Sequence, residues 1–169
     1  MNVAAVLTDA FSRIGEEVHG AVADLTVEQL ASRIDPEANS IAWLVWHLTR
    51  IQDDHVAGVA GFRQLWTAGG WAERFALPFP DSAVGYGHSA EDAGKVRAPA
   101  DLLLAYHDAV HAQTDGYLAG LVDADLDRVV DTRWDPPVTL GVRLVSVVSD
   151  DLQHAGQAAY VRGVLLRAG

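Results

Sequence analysis

Residues 139–167 read TLGVRLVSVVSDDLQHAGQAAYVRGVLLR, and this stretch decides the fold. It follows Pro136 and Pro137 and opens on Thr139, whose hydroxyl suits a helix N-cap. Val147, Asp150, His154, Gln157 and Val161 fall on one longitudinal stripe of such a helix. Polar groups thus interrupt a face whose flanks are apolar, and polar groups turned inward need partners. Working outward, residues 41–60, IAWLVWHLTRIQDDHVAGVA, place Ile41, Leu44, Val45, Leu48 and Ile51 on one broad face behind an N-cap at Asn39 or Ser40. That second helix ends near Gly58 to Gly61. Residues 3–24 repeat apolar side chains with helical spacing, from Val3 through Phe11 to Val22, and form a first helix. A third follows Pro99 and runs to about Leu121. Four long amphipathic helices predict an all-α four-helix bundle, residues 1–169 forming one domain.

Between the second and third helices lies an irregular segment. Gly69, Gly70, Pro78, Pro80, Gly85, Gly87 and Gly94 punctuate residues 61–98, and no period survives. So long an excursion, carrying Phe62, Trp66, Trp71, Phe75, Phe79 and Tyr86, predicts an aromatic loop packed over the core. The connection at 25–39 holds at most a short helical turn around Val27 to Leu30, and 123–138 contains only a brief β-like run at 128–130.

Composition removes several function classes. Twelve basic against 23 acidic side chains give a formal charge of -11, which repels phosphate backbones and anionic lipid surfaces. A nucleic-acid role is thereby disfavoured. The chain has no cysteine, so disulfides, cysteine-rich zinc sites and a cysteine nucleophile are excluded, and any thiol chemistry must use a supplied thiol. The amino terminus lacks a secretory pattern, and no uncharged stretch approaches the roughly 18 residues of a membrane span, so a cytoplasmic protein is expected.

Asp150 and His154, four apart, project from one face about a turn apart and can supply two metal ligands; they also read as an ordinary intrahelical ion pair. His47 points with Leu44 and Ile51 into the apolar stripe of the second helix, and alone reads as a core histidine bonded to a carboxylate. Taken together the three change that balance. Inward polar stripes on neighbouring helices meet inside a bundle, where two imidazoles and one carboxylate leave coordination positions open, as catalytic sites do. His107 and His111 share the four-residue spacing but lie among Asp108, Gln113 and Asp115, which predicts a solvated face. His55 suits the carboxyl-terminal dipole of its helix, and Asp54 suits a pocket wall two turns from His47.

The segments SIAWLVWHLTRIQDDH and VTLGVRLVSVVSDDLQHAGQAAYVRG together resemble the DinB-like superfamily of four-helix metalloproteins. The WHL histidine, the loop WAERFALPFPDSAVGYGHS, the DPPVTLGVRL segment and the HxGQ sequence are similar to a branch of mycothiol-transferase-like proteins found in actinobacteria. The resemblance implies a metal set of His47, Asp150 and His154. Many relatives carry histidine where this chain has Asp150, and related thiol-dependent isomerases carry a carboxylate there. It further implies a divalent-metal enzyme, zinc first with nickel(II) or iron(II) as alternatives, using a small thiol such as mycothiol as nucleophile against an electrophile.

Arg143 and Arg162 flank the site along the last helix and are candidates for holding a carboxylate of thiol or substrate, or else for ion pairs. Tyr86 and His88 are candidates from the loop, the tyrosine as hydrogen-bond donor and the histidine as proton carrier, in a roof spanning about Trp66 to His88. Two other enzyme readings stay open, a mycothiol-dependent isomerase and a non-haem iron(II) oxygenase. A non-catalytic metal or small-ligand bundle is the third alternative. Related bundles often pair through helix faces, so the resemblance also implies a homodimer.

Overall fold

The computed structural model describes residues 2–168. Four long helices dominate it: α1 (Val3–Val22), α3 (Ile41–Ala60), α7 (Ala100–Leu118) and α8 (Leu140–Ala168). Each of α1 and α3 packs against both α7 and α8, so the helices follow one another around the bundle as α1, α7, α3, α8. Two neighbours, α3 and α8, make the most extensive of these packings, and they carry the three candidate metal ligands.

Local chemistry sets the ends of these helices. The Ser40 hydroxyl accepts from the Trp43 amide at 3.2 Å, a cap of the kind that contributes about 1 kcal/mol, and Gly61 ends α3 in the left-handed conformation at φ 76°. Helix α1 stops two residues short of the expected 24, because Asp24 takes a positive φ of 61°. Helix α7 likewise ends at Leu118 rather than Leu121, in a tight turn closed by the Ala119 and Gly120 amides. Thr139 caps α8 as expected, accepting from the Val142 amide at 3.3 Å. The β-like run becomes β1 (Val129–Asp131), antiparallel to β2 (Val138–Thr139), which leads directly into α8.

The core runs through all four helices, with Phe11, Ile14, Trp46, Leu48, Leu103, Tyr106, Leu144 and Val147 buried. Helix α3 departs from its expected single apolar face: it is buried on every side from Ile41 to Asp53, including Thr49, Arg50, Gln52 and Asp53. The cause is the segment after it. Residues 61–98 are more ordered than the glycines and prolines suggested, with α4 (Leu65–Ala68), α5 (Trp71–Phe75) and α6 (Ala90–Ala93), and they lie against the outer side of α3. A short α2 (Val27–Ala31) occupies the expected turn, closed by a capping box between Thr26 and Gln29.

Buried charge on α3 fastens this segment down. The Asp53 carboxylate accepts from the Leu65 and Trp66 amides at 2.9 and 2.7 Å, serving as the cap that α4 lacks in its own sequence. Tyr106 donates to the same carboxylate at 2.9 Å, and Arg50 lies 3.6 Å from it. Arg50 also donates to the Ala83 carbonyl and to Gln64. Trp66, Trp71 and Phe75 then pack around the Tyr106 ring at 5.3–5.8 Å between centroids. Removing one member of such a buried pair costs about 3–5 kcal/mol, since it strands the other charge.

Candidate metal centre

His47 on α3 and Asp150 and His154 on α8 each bring a ligand atom to one place, all within 4.8 Å of one another. His47 is buried, while Asp150 and His154 are half-buried. The Asp150 and His154 groups do not close into a tight ion pair: their nearest nitrogen and oxygen stand 3.7 Å apart, and the buried Oδ2 of Asp150 has no partner. The rings of His47 and His154 meet edge to face, with centroids 4.9 Å apart.

The hydrogen bonds around both imidazoles decide which nitrogen is free. A carbonyl oxygen can only accept, so the short contact between His47 Nδ1 and the Val84 carbonyl makes Nδ1 the donor and leaves Nε2 with its lone pair. His154 repeats the arrangement, with Nδ1 donating to the Gln157 side-chain oxygen at 2.8 Å. An outer acceptor on one nitrogen that frees the other is how metal-binding histidines are oriented. Burial pushes the His47 imidazole below its ordinary range, which keeps the ring neutral and available to a metal. The donor set therefore fits a divalent cation.

Two further features were not visible in the spacing. Gly85, at φ 92°, crosses directly over His47: a Cβ there would lie 2.7 Å from Nδ1 and 3.1–3.2 Å from Trp46 and Trp43. Only glycine allows the loop this approach. Trp43 stacks on His47 at 4.6 Å, meets the His154 ring edge-on at 6.1 Å, and donates its indole N–H to His88 Nδ1 at 3.2 Å. A helical-wheel reading of α3 treats Trp43 as one more packing tryptophan, yet it joins His47 and His154 to the loop. Asp151 was also missed. It is fully buried without a partner for either oxygen, and burial pushes its carboxyl well above the usual range.

The remaining candidates separate. His88 lies against the Trp46 and Phe79 rings at 5.8 and 4.5 Å, within the aromatic layer beside the three ligands. Because Trp43 donates to its Nδ1, neutral His88, the expected proton carrier, has its hydrogen on Nε2 and offers a donor there. Tyr86, 88% exposed, stands outside that layer. Arg143 is held by Asp131 at 3.1 Å, and Arg162 donates to the Ala21 and Ala23 carbonyls at the end of α1. Both arginines are thus occupied by the fold. Arg143, with Arg133, Asp54 and His55, faces a cavity of about 450 Å³ that none of the three ligands lines. Asp54 does wall a pocket, but this one, and it pairs with His55 at 3.1 Å.

The expected solvated face on α7 is a correction. His107 is 1% exposed with neither ring nitrogen partnered, and burial pushes it down to about 4. Helix α1 covers it, with the Gly15 backbone close to the ring.

A sequence profile of the family described as mycothiol-S-transferase matches residues 6–166. The chain belongs to the mycothiol-S-transferase family. Membership in this DinB-like family agrees with the bundle and with the resemblance carried by the HxGQ and WHL segments. The crystal structure of a conserved protein from Enterococcus faecalis is similar throughout: 35% identity, TM-score 0.92, covering 98% of each chain. No curated protein matches the chain. Among the described residues no helix is long and apolar enough to cross a membrane.

Proposed function

We propose that this chain, acting as one domain, is a cytoplasmic, divalent-metal-dependent S-transferase that joins mycothiol to an electrophilic small molecule. One observation carries the reading: three ligands from two helices converge with both Nδ1 atoms already engaged, beneath an aromatic loop, in a member of the mycothiol-S-transferase family. His47, Asp150 and His154 would hold the metal, with zinc taken as the ion that the family resemblance implies. A divalent cation there supplies positive charge that lowers the pKa of a nearby thiol toward neutrality.

The chain's own groups do the rest. Trp43 stacks on His47, and Trp46 and Phe79 pack with His88 beside it, an apolar layer that would shield the centre from water on that side. His88 offers its Nε2 hydrogen to the electrophile or its departing group. In the transfer the thiol sulfur releases its proton to solvent, a sulfur–carbon bond forms as the bond from that carbon to the leaving group breaks, and the leaving group departs with the electron pair of the broken bond. The absence of any cysteine supports a supplied thiol.

Incubating zinc-loaded protein with mycothiol and a halogenated arene is the test. Thiol consumption with stoichiometric halide release is expected, and Asp150→Ala should abolish both. Metal-loaded protein that binds thiol yet consumes none with any electrophile would favour a sensor, and rearranged substrate with recovered thiol would favour an isomerase. Oxygen uptake with iron(II) would favour an oxygenase.

A further inference from the structure

The cavity of about 450 Å³ that none of the three metal ligands lines has opposite charges on its two walls. Asp54 lies seven residues after His47 on α3, and Arg143 lies seven before Asp150 on α8. Two helical turns, about 10 Å, therefore separate these residues from the metal ligands on their own helices. One wall of the cavity is the last part of α3. The other is β1, the turn after it and the start of α8.

The second wall is positive. Asp131, its side chain 6% exposed, accepts from Arg133 Nε at 3.0 Å and Nη2 at 2.8 Å, and from Arg143 Nη2 at 3.1 Å. Two guanidiniums on one carboxylate leave one unit of positive charge. Being held does not exhaust Arg143: it gives Asp131 one of its five N–H groups, and among the described residues nothing bonds its Nε or Nη1. The α3 wall is negative. Asp54 presents a carboxylate there, and His55, 3.1 Å away, is the main cause that holds it below its ordinary range and so keeps it ionised. Among the described residues no ion pair joins Asp54 to either arginine. Unlike charges thus face one open space without neutralising each other.

From this arrangement we infer that the cavity binds a free amino acid with an apolar side chain, its carboxylate on Arg143 and Arg133 and its ammonium at Asp54. A guanidinium fork matches a carboxylate in shape and charge. A simple anion would be repelled by Asp54 and a simple cation by the arginines, so a guest carrying both charges satisfies both walls. Val59, Phe62 and Val130 complete the lining with apolar surface for a side chain, and the volume lies in the range of small-molecule sites. Gly58 keeps the α3 wall open. Nothing lies within 4 Å of a Cβ built there, so the chain's own packing gives no reason for glycine inside a helix, where it costs roughly 1 kcal/mol relative to alanine. A guest lying against α3 supplies the reason.

The site is independent of thiol transfer, and calorimetric titration of metal-free, full-length protein with L-phenylalanine reads it. One-to-one binding with a Kd of about 1 mM or tighter is expected. L-phenylalaninamide, which lacks the carboxylate, and N-acetyl-L-phenylalanine, which lacks the ammonium, should each bind about tenfold more weakly, as should L-phenylalanine to Arg143→Gln. Gly58→Leu fills the space and should abolish binding with helix content unchanged. Asp150→Ala, which removes a metal ligand, should bind L-phenylalanine as the wild type does. No binding by the wild type, equal binding of all three compounds, or full binding by Gly58→Leu would overturn the proposal. Loss of binding in Asp150→Ala would overturn it too, by moving the guest to the metal centre.

Discussion

Two helices of this bundle carry ionisable pairs at the same four-residue spacing, and they end in opposite states. On α8, Asp150 and His154 meet a third group from α3, and the His154 ring is turned by an acceptor at Gln157. On α7, His107 and His111 stack nearly parallel, 6.0 Å apart and tilted 11°, and His107 is sealed against α1 without a partner. The spacing is identical, so spacing does not make a site. What differs is whether a neighbouring helix sends a ligand and whether an acceptor holds each imidazole by its outer nitrogen.

The largest expected effect tests that difference at its root. His47→Ala, Asp150→Ala and His154→Ala should each abolish stoichiometric zinc binding by elemental analysis while helix content is kept, and His107→Ala with His111→Ala should leave metal content unchanged. Zinc retained by all three of the first set would end the assignment.

Next comes Gly85→Ala, which puts a Cβ against His47 Nδ1 and strains a backbone at φ 92°. A loss of about 3 kcal/mol in stability, together with at least tenfold weaker zinc binding, should appear in calorimetry. Unchanged affinity would show that the loop does not orient His47.

The α7 pair makes its own prediction, in stability. Folded His107 takes up a proton only near pH 4, while the unfolded chain does so near about 6.5. Between those values the unfolded state binds more protons, so stability present above pH 6.5 is lost as pH falls toward 4, by about 3 kcal/mol at most. Urea unfolding of metal-free protein should show that slope, and His107→Leu should flatten it. Equal slopes in both proteins would mean that some other group carries the acid sensitivity.

The smallest effect is Gln157→Leu. Removing the acceptor for His154 Nδ1 should weaken zinc binding about tenfold, the lower end for such outer partners, without moving the unfolding midpoint of the metal-free chain. An unaltered zinc affinity would place His154 under other control.

Helix periodicity and caps made the bundle legible, because Ser40, Gly61 and Thr139 act locally and the apolar stripes repeat within each helix. The convergence of His47, Asp150 and His154 was legible too, from two polar stripes that a bundle must bring together. The loop was not. Its α4 and α5 depend on Asp53, Arg50 and Tyr106, which lie 12 or more residues from the α4 amides that Asp53 caps, and no local pattern announces such partners. The burial of His107 was missed for a related reason: charged neighbours on α7 describe one side of the ring, while α1 decides the other. Gly85 was read as a turn glycine, and its role depends on what lies beneath it.

The Val84 carbonyl ties the loop to the imidazole from which a metal would draw electrons. A cation on Nε2 would make the Nδ1 hydrogen more acidic and tighten its grip on that carbonyl, and by reciprocity a loop held in place would strengthen the hold on the cation. Release of a metal held by His47 would then wait on the lifting of residues 83–88, in the way a latched door is slow to open. Limited proteolysis within that segment should accordingly slow when zinc is bound, giving the loop a second identity as the timekeeper of the centre it covers.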